Sequence, residues 1–169
     1  TRTIDEALWR METADWPGGI NRVIFLLHKP VGQGTAGEVL HADDERVRRF
    51  FALFSDPVHG RLAGFDSCSV PALVTMAPGV APQCLETCEA ARFSAYISPL
   101  AIMTPCSFDA QGDFGVDLAV HTMDQAWESP GFEAFRRTMT GMCPDCTQRE
   151  LCMGGCPLRP DIVLCQNRS

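Results

Sequence analysis

Five cysteines lie near the end of the sequence, from Cys143 to Cys165, and this stretch limits the possible folds more than any other. Its spacing is Cys-x2-Cys-x5-Cys-x3-Cys, followed by eight residues and a final cysteine. Thiolates are soft ligands that suit zinc, copper(I) or iron–sulfur clusters rather than magnesium or calcium. Gly154 and Gly155 allow the backbone to fold tightly and bring its amides close to such a centre. The pattern therefore predicts that this stretch folds around bound metal.

The end of the run indicates more than one centre. Cys152-x3-Cys156-Pro157 is similar to the end of bacterial ferredoxin motifs, in which the last cysteine binds a different cluster from the others. By that analogy we expect two centres, with Cys156 bound to the more distant one. Disulfides are the alternative, but nine cysteines are an odd number, clustered at one end of a chain of 169 residues. Secreted disulfide frameworks are more often even and shorter, so we predict metal-bound thiolates in a reducing cytoplasm.

Composition and charge argue against two classes of partner. Asp and Glu number 21 against 14 Lys and Arg, and the formal net charge of −7 opposes binding to nucleic-acid phosphates. No apolar run reaches the roughly eighteen residues that a membrane span needs, so we predict none. Apolar residues make up 46% of the sequence, enough for a hydrophobic core. Because the first residue is Thr1 rather than methionine, we expect further sequence upstream.

Residues 1–66 contain no cysteine and alternate between helix and strand signals. Apolar residues at helical spacing predict helices over 4–11 and 47–54. The uninterrupted apolar run 23–27 predicts a strand buried on both faces, and 62–66 predicts a second short strand. This order is the repeat of a parallel α/β layer, but two strands cannot form such a sheet alone. We therefore expect residues 1–66 to be the end of a larger domain.

After residue 66, prolines and cysteines separate short elements. Residues 92–97 and 102–106 read as the two strands of a hairpin, and 114–118 as a further short strand. Residues 124–140 read as helix, with a break at 129–131. The predicted hairpin would return its second strand beside the start of its first.

Two cysteines flank this hairpin, and the predicted turn would bring their sulfurs to one centre. They are Cys88 and Cys106. A lone free cysteine is more often a small buried hydrophobic residue than a ligand. With five thiolates downstream, we favour ligation for this pair.

Seven cysteines together resemble the pattern of the SPASM domain, which ends many radical S-adenosylmethionine (SAM) enzymes. They are Cys88, Cys106, Cys143, Cys146, Cys152, Cys156 and Cys165. The family has a glycine five residues before the second cysteine, at its usual hairpin turn, where this sequence departs from the pattern with Ala101. The resemblance covers about residues 65–165. Residues 1–66 are then similar to the last strands and helices of a radical SAM partial barrel.

The resemblance implies an α/β fold in two parts. Residues 1–66 would form the end of a partial (β/α) barrel, and residues 67–169 a small α+β SPASM domain with a hairpin and cysteine-rich cluster-binding loops. It also implies two auxiliary [4Fe–4S] clusters. Carried over by position, the second cluster is bound by Cys143, Cys146, Cys152 and Cys165, and the first by Cys88, Cys106 and Cys156. For the fourth ligand of the first cluster we prefer Cys68, with Cys84 as the alternative, unless that site is open.

The motif of the SAM-cleaving cluster, Cys-x3-Cys-x2-Cys, is absent from this sequence. Cys84-x3-Cys88 continues to Ala91 and Cys152-x3-Cys156 continues to Arg159, so neither completes it. We therefore expect part of a longer enzyme that is not competent alone. Its missing N-terminal half would hold a third [4Fe–4S] cluster and SAM. The family further implies a peptide or protein substrate, modified through a 5′-deoxyadenosyl radical, and an external electron donor.

Two further candidates end the predicted strand 23–27, where α/β folds place ligands. His28 and Lys29 are candidates for contacts with substrate or SAM at the barrel rim, although a histidine at such a position is more often structural. A rival function is a zinc-stabilised binding module without a redox role, since eight cysteines could form two four-cysteine zinc sites. The x5 and x3 spacings fit the cluster pattern better.

Overall fold

The structure is a computed structural model that describes residues 2–165, with side chains from residue 3 onward. Thr1 and residues 166–169, the outer ends of the two predicted domains, lie outside the described part. The fold is mixed α/β with small sheets. Its helices are α1 (Arg2–Thr13), α2 (Glu45–Ala52), α3 (Pro57–Gly60), α4 (Val70–Met76), α5 (Met123–Trp127), α6 (Pro130–Gly141) and α7 (Arg149–Cys152). Its strands are β1 (Val23–Phe25), β2 (Ala63–Phe65), β3 (Tyr96–Ile97), β4 (Ile102–Thr104) and β5 (Val116–Asp117).

The first sheet pairs β1 with β2 in parallel, with Val23 opposite Ala63 and Phe25 opposite Phe65. α2 lies between the two strands in the chain, so the helix–strand alternation predicted for this part is confirmed. Phe25 points toward the helices, with its ring 5.0 Å from that of Phe50. The apolar positions of α2 are buried, as their spacing predicted.

The prediction that the strand at 23–27 is buried on both faces is wrong for the described chain. Ile24 is 60% exposed and Leu26 is 74% exposed, whereas Leu27 is buried. The helices that flank β1 cover one face, and β2 pairs with one edge. The other face of β1 therefore presents apolar side chains to solvent.

α1 and α2 pack side by side and are joined at their surface by ion pairs. A guanidinium nitrogen of Arg46 lies 3.1 Å from Asp5, and Arg49 lies 2.6 Å from Glu12. α2 begins after Asp44, whose carboxylate accepts the N–H of Arg46 as an N-cap. The hydrogen bonds from Arg46 lower the pKa of Asp44 to about 2.

The second sheet is antiparallel in the order β3–β4–β5. Its first two strands form the predicted hairpin, with shorter strands than the sequence indicated. At the turn, Ala101 adopts a left-handed φ of 58°, a conformation that glycine accepts more easily. The hydroxyl oxygen of Ser98 accepts the N–H groups of Leu100 and Ile102 and closes the turn.

α5 and α6 cover this sheet, and the predicted break between them is confirmed. Thr122 starts α5 with a capping box, and Ser129 accepts the N–H of Phe132 at the start of α6. Phe132, Phe135 and Met139 are all buried, in a core that also contains Met103. No helix within residues 2–165 has the length and apolarity to cross a membrane.

The larger core crosses the predicted boundary at residue 66. Helices α1 and α2 share it with α4, and the tail contributes Ile162 and Leu164, each 1% exposed. The cysteine-rich tail therefore packs against the part of the chain that contains the parallel strands.

Candidate metal centre

The tail turns sharply after α7 because three consecutive residues adopt left-handed backbone angles. They are Met153, Gly154 and Gly155, with φ of 54°, 79° and 89°. A Cβ on Gly154 would lie 2.4 Å from the Cβ of Met142 and 3.5 Å from the Sγ of Cys143. The predicted need for glycine here is confirmed, because this backbone passes directly against the start of the tail.

Four cysteines of the tail line a single pocket. We call them the second set: Cys143, Cys146, Cys152 and Cys165. Helix α4 forms one wall of the pocket through Pro71, Val74 and Thr75. The N–H of Cys146 donates to the carbonyl of Cys143 at 3.1 Å, the tight turn that a Cys-x2-Cys pair requires. A short chelate and a packed helix thus bring four thiols around one space.

The thiols of the second set lie close enough to affect one another. Burial raises the pKa of Cys152, and nearby Cys165, Cys143 and Cys146 raise it further. The N–H of Gly154 opposes the rise by donating a hydrogen bond to the Cys152 sulfur. Hydrogen bonds of this kind stabilise negative charge on a thiolate ligand.

The other four cysteines form a separate group, which we call the first set: Cys68, Cys88, Cys106 and Cys156. Burial raises the pKa of Cys68 to about 12, Cys156 and Cys88 raise it further, and the Lys29 ammonium opposes the rise. Burial likewise raises the pKa of Cys88 and of Cys156, and Cys106 adds to both. These thiols lie at four separate places in the sequence, so tertiary packing brings them together.

Backbone amides also point at the first set. The N–H groups of Arg159 and Leu158 donate to the Cys156 sulfur, and that of Ala90 donates to Cys88. Pro157 has no N–H to offer, so the donors to Cys156 come from the next two residues. Both sets thus combine sulfur ligands with hydrogen-bond donors.

The first set lies where the two hydrophobic cores meet. Cys156 belongs to the larger core, and Cys68 packs against it. Cys88 and Cys106 pack against the smaller core, and Leu158 touches both. A group bound by these four thiols would connect the two halves of the described chain.

The two alternatives for the fourth ligand occupy different environments. Cys68 follows β2 within a short 3-10 turn, half-buried beside Cys88 and Cys156. Cys84 is exposed and lines an open groove of about 1010 Å³ between β2 and residues 79–89. Cys68 therefore lies with the first set, whereas Cys84 lies in the groove.

His28 and Lys29 follow β1 but diverge. The ring Nε2 of His28 lies 3.0 Å from the carbonyl oxygen of Thr35, in the loop that follows. The Lys29 ammonium turns toward the first set, where it pairs with Asp66. The proposed contacts of His28 and Lys29 with substrate or SAM stay predictions.

Sequence reasoning missed two residues beside the first set. Asp66 holds Lys29, and the only sequence signal was its position two residues before Cys68. Arg92 donates to the carbonyl oxygen of Cys88 at 3.2 Å and to the Met153 sulfur at 3.0 Å. It thereby joins the Cys88 segment to the tail. The two segments are far apart in sequence, so no local pattern could predict this contact.

Within residues 2–165, no three His, Cys, Asp or Glu side chains are arranged to hold a metal ion. The chain matches no family model, no curated protein and no solved structure. Eight thiols in two groups of four, each with amide donors, fit a thiolate-bound group in donor type and number.

Proposed function

We propose that this chain binds two [4Fe–4S] clusters and is the auxiliary-cluster part of a radical SAM enzyme of the SPASM type. One observation carries the proposal. Eight of the nine cysteines fall into two groups of four, and Cys156 of the tail joins the group formed by the distant cysteines. The resemblance implies this same division on independent grounds.

The cysteine spacing supports clusters rather than single zinc ions, because the x5 and x3 separations in the tail fit the cluster pattern better. Four thiolates around one zinc lie roughly 4 Å apart, since each Zn–S bond is about 2.3 Å. A cluster interposes its own irons and sulfides and therefore holds its thiolates further apart. A bound cluster would supply electron transfer, or an iron that contacts substrate.

The chain's own residues have distinct parts in this proposal. The thiols would bind the two clusters. The amide N–H groups of Gly154, Ala90 and Leu158 would stabilise negative charge on the ligand sulfurs, and burial of the thiols would exclude water. The exposed apolar face of β1 is where further strands of a barrel would pack. That barrel, with the SAM-cleaving cluster, would belong to the rest of the enzyme, which would act on a peptide or protein with an external electron donor.

The test is the metal and sulfide content of the polypeptide purified without oxygen. We expect brown protein with about eight irons and eight acid-labile sulfides per chain, as two [4Fe–4S] clusters require. Mössbauer spectra of ⁵⁷Fe-enriched protein should show both as [4Fe–4S]. Colourless protein with about two zinc ions per chain would replace this proposal with the zinc-stabilised module. Cys84→Ala is the matched control and should keep the full iron content.

A further inference from the structure

A partly buried ion pair between Lys29 and Asp66 lies beside the first set. The Lys29 ammonium pairs with the Asp66 carboxylate, and the two side chains are only 11% and 18% exposed. The ammonium also donates to the carbonyl oxygen of Leu27 at 3.0 Å and lies 5.3 Å from the centre of the Phe108 ring. These contacts fix the charge in place, in surroundings that screen it less than water does.

The carboxylate that holds Lys29 is itself fixed by neutral donors. One Asp66 oxygen accepts the hydroxyl of Ser69 at 2.8 Å, and the other accepts the N–H of Leu27 at 3.2 Å. These bonds join the end of β1 to the turn that carries Cys68. The ammonium is therefore held in a constant position relative to that thiol.

Lys29 lies between two segments that carry thiols of the first set. Its ammonium pairs with Asp66, two residues before Cys68, and lies 5.3 Å from the centre of the Phe108 ring, two residues after Cys106. The ammonium therefore favours negative charge on a group bound by these thiols.

Two other cations approach the first set, but each bonds a segment that carries a cysteine. Arg92 donates to the carbonyl of Cys88, and Arg159 forms an exposed pair with Asp161. In the second set, Arg149 lines the pocket while its guanidinium donates to the carbonyl of Thr140. Lys29 is the cation whose removal changes the charge beside the first set with least disturbance to the cysteine loops.

We propose that Lys29, positioned by Asp66, raises the reduction potential of the cluster held by the first set. The inference rests on the proposed function, since it assumes a cluster there. Reduction adds one electron to a [4Fe–4S] core and takes it from 2+ to 1+. A fixed ammonium nearby stabilises the added negative charge, because potentials depend on the charge and hydrogen bonds around the cluster.

The test is a redox titration of the reconstituted polypeptide, with dithionite as reductant and electron paramagnetic resonance as readout. The signal of the first set is the one lost in Cys106→Ala. In Lys29→Met, the ratio of reduced to oxidised first cluster at a fixed potential should fall about tenfold, a shift of about 59 mV for one electron. Lys29→Arg should stay near wild type. Asp66→Asn keeps an amide oxygen that can accept from Lys29 but removes the opposing negative charge, so the ratio should rise.

Two controls make the result specific. The second cluster of the same molecules should keep its midpoint in every variant. Arg49→Met removes the same charge from the surface of α2 and should shift neither cluster. A first cluster present at full iron content with an unchanged midpoint in both Lys29→Met and Asp66→Asn would overturn the inference alone. Wild-type protein without iron and sulfide would instead overturn the proposed function and the inference with it.

Discussion

Cys156 follows Cys152 by four residues, yet Cys106, from the other end of the hairpin segment, is close enough to raise the pKa of the Cys156 thiol. The left-handed turn at Gly154 and Gly155 lies between Cys152 and Cys156 and places their thiols in different sets. The tail therefore supplies ligands to both sets, and anything that disturbs this turn is expected to affect both.

The fourth member of the first set can be tested by comparing two cysteines. Cys68→Ala should perturb the first cluster because it removes a half-buried thiol beside Cys88 and Cys156. Cys84→Ala should leave both clusters intact because that thiol is exposed in the groove. The iron content and the paramagnetic resonance spectrum of each variant show which clusters it retains. Loss of the first cluster in Cys84→Ala alone would move the assignment to Cys84, and loss in neither would indicate an open site.

The tail turn should tolerate no side chain at Gly154. In Gly154→Ala, the new Cβ would overlap Met142 and the residue would keep a φ of 79°. Strain and overlap together should cost about 2–4 kcal/mol of unfolding free energy and lower the iron content. Gly141→Ala is the control, because no atom outside its own helical turn lies within 4 Å of its added Cβ. Equal stability of the two variants in urea unfolding would contradict the described turn.

The hairpin turn should be improved by the residue that the SPASM pattern has there. Ala101→Gly should stabilise the chain by about 1 kcal/mol, because a left-handed residue with a Cβ is strained. Thermal unfolding measures the change. Ala134→Gly, within α6, should have the opposite sign, since glycine weakens helix interiors. Destabilisation by Ala101→Gly would mean that the turn is not left-handed.

The start of α2 depends on Asp44. Asp44→Ala should cost about 1 kcal/mol at pH 7 through loss of the N-cap, whereas Asp44→Asn should keep the cap and cost less. The pKa of Asp44 is lowered to about 2 in the folded chain, against 3.8 ordinarily. Its charge-dependent contribution is therefore complete above about pH 4 and is lost as the pH falls toward 2. Urea unfolding at pH 7 compares the variants, and equal losses for Ala and Asn would contradict a capping role.

Local patterns in the sequence predicted local structure well. The apolar stripe of α2, the hairpin and the break before Pro130 are confirmed because neighbouring residues decide each of them. The left-handed Ala101 could not be predicted in this way, since alanine gives no signal for that conformation.

Features that depend on distant parts of the molecule were predicted less well. The prediction that residues 23–27 are buried on both faces was wrong, because an apolar run does not show which strands and helices of this chain pack against it. The pairing of Lys29 with Asp66 was not predicted, because the two residues are far apart in sequence and no periodic pattern in the sequence links one charged residue to the other. Cysteine spacing predicted the grouping of the cysteines, because chelation of one metal centre favours ligands that are a few residues apart in sequence.

The most direct test of two separate clusters compares Cys143→Ala with Cys156→Ala. Each should retain about four of eight irons, because each removes a ligand of one set. Paramagnetic resonance of the reduced proteins should show the first-set signal in Cys143→Ala and the second-set signal in Cys156→Ala. Loss of the same signal from both variants would contradict the account, because it would place Cys156 in the same centre as its neighbours in sequence.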